Sequence, residues 1–397
     1  MANNVPFQTL DIRGISKLAF NAVDEITHIV EGIHLNISNM PLILGQPETG
    51  PARGATGLIY RLIRSISGSI GVGIDSLLQN TQQASHPSSF QRSPIIAVLN
   101  GVLGDFLEST QNPLAIDMSF CSQGKPINLE TDELNNIAPK ANNKIMIFLH
   151  GLCTNDVYWT KSGGKQPELL AAELGFTPIF LRYNTGRHIS TNGREFAEQL
   201  EKLIITWPVT PQEIVLVGYS MGGLVLRSAC FYAELLNYTW RQKLQRIYFI
   251  GVPHHGSHVE RGGQWVHHAM GISPYTFPLS RLAAVRSAGI TDLRYGNLLD
   301  DDWLGLDRFH RTGDKRHPLP LPCDVACYSM AATVSEKGTK ALAWGDGFVG
   351  VASALGIHED ERFHLAFPAE HCSKFIGMNH FELVSKSAAY DFIRNNA

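Results

Sequence analysis

The chain of 397 residues carries 44% apolar and 17% charged side chains, too apolar for a disordered protein and long enough for one large domain with an appendage. Lys+Arg 33 against Asp+Glu 36 leaves a formal charge of -3, so no basic field exists to hold a phosphate backbone, and nucleic acid is excluded as an expected partner. The low charged fraction leaves room for apolar surface toward a lipid, a partner subunit or an apolar substrate.

The opening residues, MANNVPFQTLDIRG, have neither the basic n-region nor the apolar h-region of a secretory signal, which predicts a cytoplasmic protein. Ile15, Leu18, Ala22, Ile26, Ile29 and Ile33 then recur at three- and four-residue steps, the stripe of an amphipathic helix. Leu58, Leu62, Ile66, Ile70 and Ile74 repeat the pattern, and Ile95 to Leu107 gives a third helix after the polar break QASHPSSFQRS. Residues 1–112 are therefore expected to form an all-helical segment that packs on the main domain or on a second subunit. Arg61 and Arg64 beside an apolar face leave peripheral membrane contact open, as the stripes leave self-association open. No apolar run reaches the roughly 18 uncharged residues of a membrane span.

Beyond about Asn112 short apolar runs alternate with helical segments, the texture of a mostly parallel sheet covered on both faces, and residues 113–397 read as one domain. LAIDMSF and KPINL suggest an opening hairpin. Strands are predicted at KIMIFLH (144–150), TPIFLRY (177–183), EIVLVGY (213–219), RIYFIGV (246–252) and DVACYSM (324–330), with helices at 165–174, 191–206 and 221–236. Their unbroken apolar character is what strands buried on both faces require.

At Gly218-Tyr219-Ser220-Met221-Gly222-Gly223 the chain leaves an apolar strand and enters an amphipathic segment, the context that gives a G-x-S-x-G match its meaning. So tight a turn strains the serine backbone, and only glycine fits two residues to either side. Ser220 would stand above the sheet as a nucleophile at a helix N-terminus. Acyl transfer also needs two N–H donors for the oxyanion: Met221 after the nucleophile, and Leu152 in the turn His150-Gly151-Leu152 after an earlier strand.

The orienting acid and the base should follow in that order. KFIGMNHFELVSKSAAYDFI reads as a short strand, a loop carrying His380 and a closing helix, which favours His380 as the base, with His371 as the alternative. Asp346, between the glycines of Gly345-Asp346-Gly347-Phe348-Val349, is the favoured acid over Glu336 and Asp324. The six cysteines are scattered, and His254, His255, His258, His267 and His268 match no ligand set, so neither disulfide framework nor metal is expected. An acyl-enzyme cycle on Ser220, His380 and Asp346 needs no cofactor.

These pieces, with Gly251-Val252-Pro253-His254-His255-Gly256-Ser257 and Asn379-His380-Phe381, make the stretch from 144 to 395 resemble the α/β-hydrolase lipases and esterases. Within them it resembles the branch related to GPI inositol-deacylase and bacterial triacylglycerol lipases. The resemblance implies an α/β-hydrolase fold and carboxylic ester hydrolysis on a small-molecule or lipid ester, and it does not reach the helical segment 1–112. The long connection at about 256–322 reads as an inserted cap over Ser220. Trp265, Tyr275 and Phe277 in that cap, with His150, Tyr219 and Phe348, are the candidates for lining a substrate. Two other readings stand beside esterase or lipase: a thioesterase or acyltransferase with the same triad, and a non-catalytic scaffold that binds a membrane or a partner.

Overall fold

The computed structural model describes residues 89–129, 141–162, 164–257, 286–307, 313–335 and 345–397. The first two helical stripes, Glu336, most of the cap, and with it Trp265, Tyr275 and Phe277, lie outside the described residues. In chain order come α1 (Ser89–Ser109), β1 (Ser119–Ser122), β2 (Lys125–Pro126), β3 (Lys144–Leu149), α2 (Asp156–Ser162), α3 (Gln166–Glu173), β4 (Thr177–Arg182), α4 (Ile189–Thr206), β5 (Glu213–Tyr219) and α5 (Met221–Leu235). Then follow β6 (Leu244–Ile250), α6 (Ala288–Asp292), β7 (Ala326–Thr333), α7 (Val351–Ala354), β8 (Cys372–Ile376), α8 (Glu382–Ser385) and α9 (Ser387–Asn395).

The strands form one sheet in the order β2-β1-β4-β3-β5-β6-β7-β8. From β4 to β8 every neighbour is parallel, while β1 runs antiparallel to both β2 and β4, so the opening hairpin closes one edge. The continuous apolar strands divide by parity, as a two-residue pleat demands. Ile145, Ile147 and Leu149 of β3 join Leu216 of β5 and Phe249 of β6 under α1, α4 and α5. Met146 and Phe148 join Val215, Val217 and Tyr248 on the other face, against Trp159 of α2, Leu170 of α3 and Tyr390 and Ile393 of α9. This is an α/β-hydrolase fold, a mostly parallel eight-stranded sheet between two helical layers.

The helix expected from Ile95 to Leu107 runs from Ser89 to Ser109, and it is part of the hydrolase core. Val98, Val102 and Leu107 pack on the sheet face that carries Ile145, Ile147 and Leu149. Asn100 fixes its outgoing end, donating from Nδ2 to Leu114 O at 2.7 Å and accepting the Ile116 N–H at 2.9 Å. No helix among the described residues is long and apolar enough to cross a membrane.

Candidate active site

The parallel register sets Leu149 beside Gly218 and Tyr219 beside Ile250, so β3, β5 and β6 deliver His150, Ser220 and Gly251 to the same carboxyl edge. That edge is where ligands bind in open α/β sheets. Ser220 has φ 53 and ψ -125, the left-handed region that costs a non-glycine residue about 1–3 kcal/mol. Its strain is held in place by the Ser220 N–H, which donates to Ile250 O at 2.9 Å, and by the first turn of α5. A Cβ on Gly222 would lie 2.6 Å from Leu149 O and 2.7 Å from His150 O, which explains glycine there: the helix starts against the backbone of β3.

Asp346 sits in a turn whose flanking glycines have φ 58 and φ 98. One carboxylate oxygen, Oδ1, accepts the N–H groups of Phe348 and Val349 at 2.9 and 2.8 Å. The other, Oδ2, lies 2.6 Å from His380 Nδ1, and the His380 N–H donates to Asp346 O at 3.1 Å. A carboxylate with both lone-pair sets committed this way fixes its own orientation and that of the imidazole. Because it can only accept from Nδ1, the neutral ring carries its proton there and leaves Nε2 as an acceptor.

The ring is braced on three sides. Tyr219 lies 5.0 Å away and donates from its hydroxyl to His380 O at 3.3 Å, and Phe348 lies 5.3 Å away on another side. Beneath it is Gly251, at φ 58, where a Cβ would stand 3.2 Å from His380 Cε1. Ser220 Oγ and His380 Nε2 are both buried and hydrogen-bond neither to each other nor to any other protein group among the described residues. Such contacts commonly tighten only when substrate is bound.

In the loop after β3 the Cys153 N–H donates to Thr185 Oγ1 at 3.2 Å and the Thr154 N–H to Gly151 O at 3.3 Å, while the Leu152 N–H has no hydrogen-bond partner among the described residues. Cys153, at φ 59, supplies the bend. His150 is fully buried: its Nδ1 faces Gly151 O at 2.9 Å and its ring stacks on Tyr183 at 4.4 Å. Burial pushes its pKa down to about 4, so it is a neutral bracing group. Tyr219 likewise is buried against Tyr158 and Trp159, and Phe348 against His380 and Phe381. These three side chains, read in the sequence as candidates for lining a substrate, pack against the elbow, the imidazole and the β3 loop.

The alternatives lie elsewhere. His371 precedes β8 with Nδ1 3.1 Å from Cys327 O and its ring on Tyr328, and Asp324 is exposed in the turn before β7. A cavity of about 650 Å³ opens between α1, the β1–β2 hairpin and α2. Asn155, Val157 and Arg182 line it, but Ser220, Asp346 and His380 do not, so its size is no guide to the chemistry. Among the described residues no group of three or more His, Cys, Asp or Glu is placed to hold a metal ion.

The sequence reading missed two contributors. Gly251 is visible as a letter, but its role as the seat of His380 depends on a contact across 129 positions that no local pattern encodes. The segment Asn184 to His188 is the dock for α1: Asn184 Nδ2 donates to Gly104 O at 2.9 Å.

Among solved structures, the chain is similar to the mature lipase BlEst2 of Bacillus licheniformis, with 17% identity and a TM-score of 0.41 over 64% of this chain and 91% of that one. It is also similar to lipase 1 of Pelosinus fermentans, at 11% identity and a TM-score of 0.39, covering 64% of this chain and 98% of that one. Phospholipase PlaB of Legionella pneumophila matches at 17% identity and a TM-score of 0.36 over 53% of this chain, which spans 45% of that protein. No curated protein matches the sequence. The family profile described as "PGAP1-like alpha/beta domain" matches residues 140–356, more than half of the 397. With the sheet and elbow already in view, the chain belongs to the PGAP1-like alpha/beta domain family of hydrolases.

Proposed function

We propose that this protein is a serine carboxylic ester hydrolase whose triad is Ser220, His380 and Asp346, acting on an apolar acyl ester. The observation that carries the reading is the combination of a strained, buried Ser220 at a strand-to-helix elbow with a His380–Asp346 pair seated over the neighbouring Gly251. Ser220 Oγ attacks the acyl carbonyl while His380 Nε2 takes its proton, and the tetrahedral oxyanion is held by the Leu152 and Met221 N–H groups. Collapse expels the alcohol, protonated by the imidazolium, and leaves an acyl-enzyme that water hydrolyses by the same two proton transfers. Asp346 holds the ring and stabilises its positive form without itself taking a proton. In this reading residues 113–397, with α1 packed into their core, are the catalytic unit, and the cap at 256–322 supplies the acyl pocket through Trp265, Tyr275 and Phe277.

The test is hydrolysis of p-nitrophenyl esters from short to long acyl chains by the wild type and Ser220→Ala. Turnover should fall by roughly 10³-fold or more in the variant with its thermal unfolding retained. Unchanged turnover in Ser220→Ala would remove the nucleophile. Preferred transfer of the trapped acyl group to thiols or alcohols over water would move the assignment to acyl transfer.

A further inference from the structure

Behind the elbow, α5 carries Arg227 into the interior, where the residue is only 4% exposed. A guanidinium so placed needs a carboxylate partner, because a buried uncompensated charge is strongly disfavoured. Arg227 has none among the described residues. Its Nη2 donates to Leu319 O, and its Nε makes no hydrogen bond. The positive charge beside it is increased by Arg316, whose own carboxylate, Asp314, is engaged at Nε at 3.1 Å. Arg316 then reaches His254 O from Nη1 at 2.8 Å and His255 Nδ1 from Nη2 at 3.2 Å. His254 is fully buried against Phe249 and Phe367, and neither ring nitrogen has a hydrogen-bond partner. One of those nitrogens must carry a proton, so Arg227 and His254 bring two unsatisfied N–H donors to one place.

That place is a cavity of about 10 Å³ lined by Arg227, His254, Arg316, Leu298, His317 and Phe363. The carboxylate bonded to the lining residue His317 is already committed: Asp302 accepts from His317 N–H and Nδ1 through one oxygen and from Leu298 and Leu299 N–H through the other. The volume suits one monatomic occupant, the size at which a cavity just admits a single water. A water would satisfy the donors and leave the charge uncompensated. Nitrate and sulfate exceed the space. We infer that this cavity is a binding site for a single halide ion, chloride under ordinary conditions, held by Arg227 Nε–H and a ring N–H of His254 and balancing the Arg227 charge. The charge balance is consistent with the titration of the group: burial, and next Arg316, push Arg227 down to about 9, so it still carries its charge at neutral pH. Burial and Arg227 also drive His254 well below its ordinary value, so it enters as a neutral donor. The site ties α5, which directly follows Ser220, to the turn after β6 and to the 313–321 stretch, and its predicted role is to stiffen that junction.

The experiment uses full-length protein. Crystals grown in sodium bromide should give an anomalous peak in contact with Arg227 Nε and His254, and its absence at saturating bromide would overturn the inference. In solution, Tm in sodium chloride against sodium gluconate at fixed ionic strength should show a saturable rise in chloride, growing logarithmically above the dissociation constant. Arg227→Met and His254→Phe should each abolish that rise. Equal Tm in the two salts for the wild type, or a chloride response retained in both variants, would also overturn it. If both variants fail to fold, the bromide peak in the wild type decides the matter alone.

Discussion

The β5–α5 elbow and the dock of α1 are both built by glycines that let backbone approach backbone, yet they differ in what that approach serves. At the elbow, Gly222 faces Leu149 O and His150 O across the neighbouring strand, and the strained Ser220 is bracketed by its own strand and helix. At the dock, a Cβ on Gly101 would collide with Cys153 Sγ and one on Gly104 with Asn184 Oδ1, so α1 lies against the loops after β3 and β4. Ser287 Oγ donates to Gly101 O at 2.6 Å, and the Ala288 N–H donates to Asp105 Oδ2 at 3.0 Å, which fastens the start of α6 to the same helix. One region shapes a reactive side chain; the other secures the loop beneath the proposed oxyanion donor. Local strain and distant packing thus meet at a single edge of the sheet.

The largest expected effect tests the elbow side of this contrast. Asp346→Asn should lower kcat by roughly 10²–10⁴-fold with little change in unfolding, because an amide can present a donor to Nδ1 and favour the wrong tautomer. His371→Ala should leave turnover within about twofold, since among the described residues its ring serves Tyr328 and Cys327 O. Retained activity in the first and lost activity in the second, measured by ester hydrolysis, would move the base away from His380.

Substituting one glycine in each region sharpens the comparison. Gly222→Ala sets a methyl against two immovable carbonyl oxygens and should cost about 1–3 kcal/mol and much of the turnover together. Gly104→Ala meets the Asn184 side chain, which can turn away at the loss of its bonds to Gly104 O and the Gly186 N–H, about 1 kcal/mol each. Its kcat should stay within a few fold. Urea unfolding and kcat measured on both variants would separate the two behaviours, and an equal loss of kcat would erase the distinction.

A separate effect, on stability rather than on turnover, comes with pH. His150 titrates at about 4 in the folded protein against about 6.5 unfolded, so the unfolded chain binds more protons between those values. Stability is fully present above about 6.5 and falls as pH drops toward 4, by an amount of order 3 kcal/mol from this residue alone. His255, held near 3 by burial, pulls the same way. Unfolding free energies measured from pH 7.5 to 4.5 should decline, and a flat profile would show that the β3 loop opens to water.

The strands, the elbow and the order of Ser220, Asp346 and His380 were legible because each rests on a short-range rule. A strand buried on both faces must be apolar throughout, a strand-to-helix turn this tight demands glycine, and chain order follows from the fold. What stayed illegible were the long-range contacts. His150, Tyr219 and Phe348 have the composition of a pocket lining, and only packing reveals which groups they touch. A single buried histidine reads the same whether it braces a loop or waits for substrate.

By itself, then, the sequence determined the fold class, the sheet's strands and the candidates for the chemistry, since periodicity and turn residues are set by backbone sterics and by water's exclusion of apolar groups. Only the tertiary structure decided that Gly251 seats His380, that α1 belongs to the hydrolase core, and that Arg227 and His254 share one cavity. Those facts depend on which side chains distant in sequence are brought within a few ångströms, and that proximity is fixed by the whole core packing at once rather than by any stretch of chain.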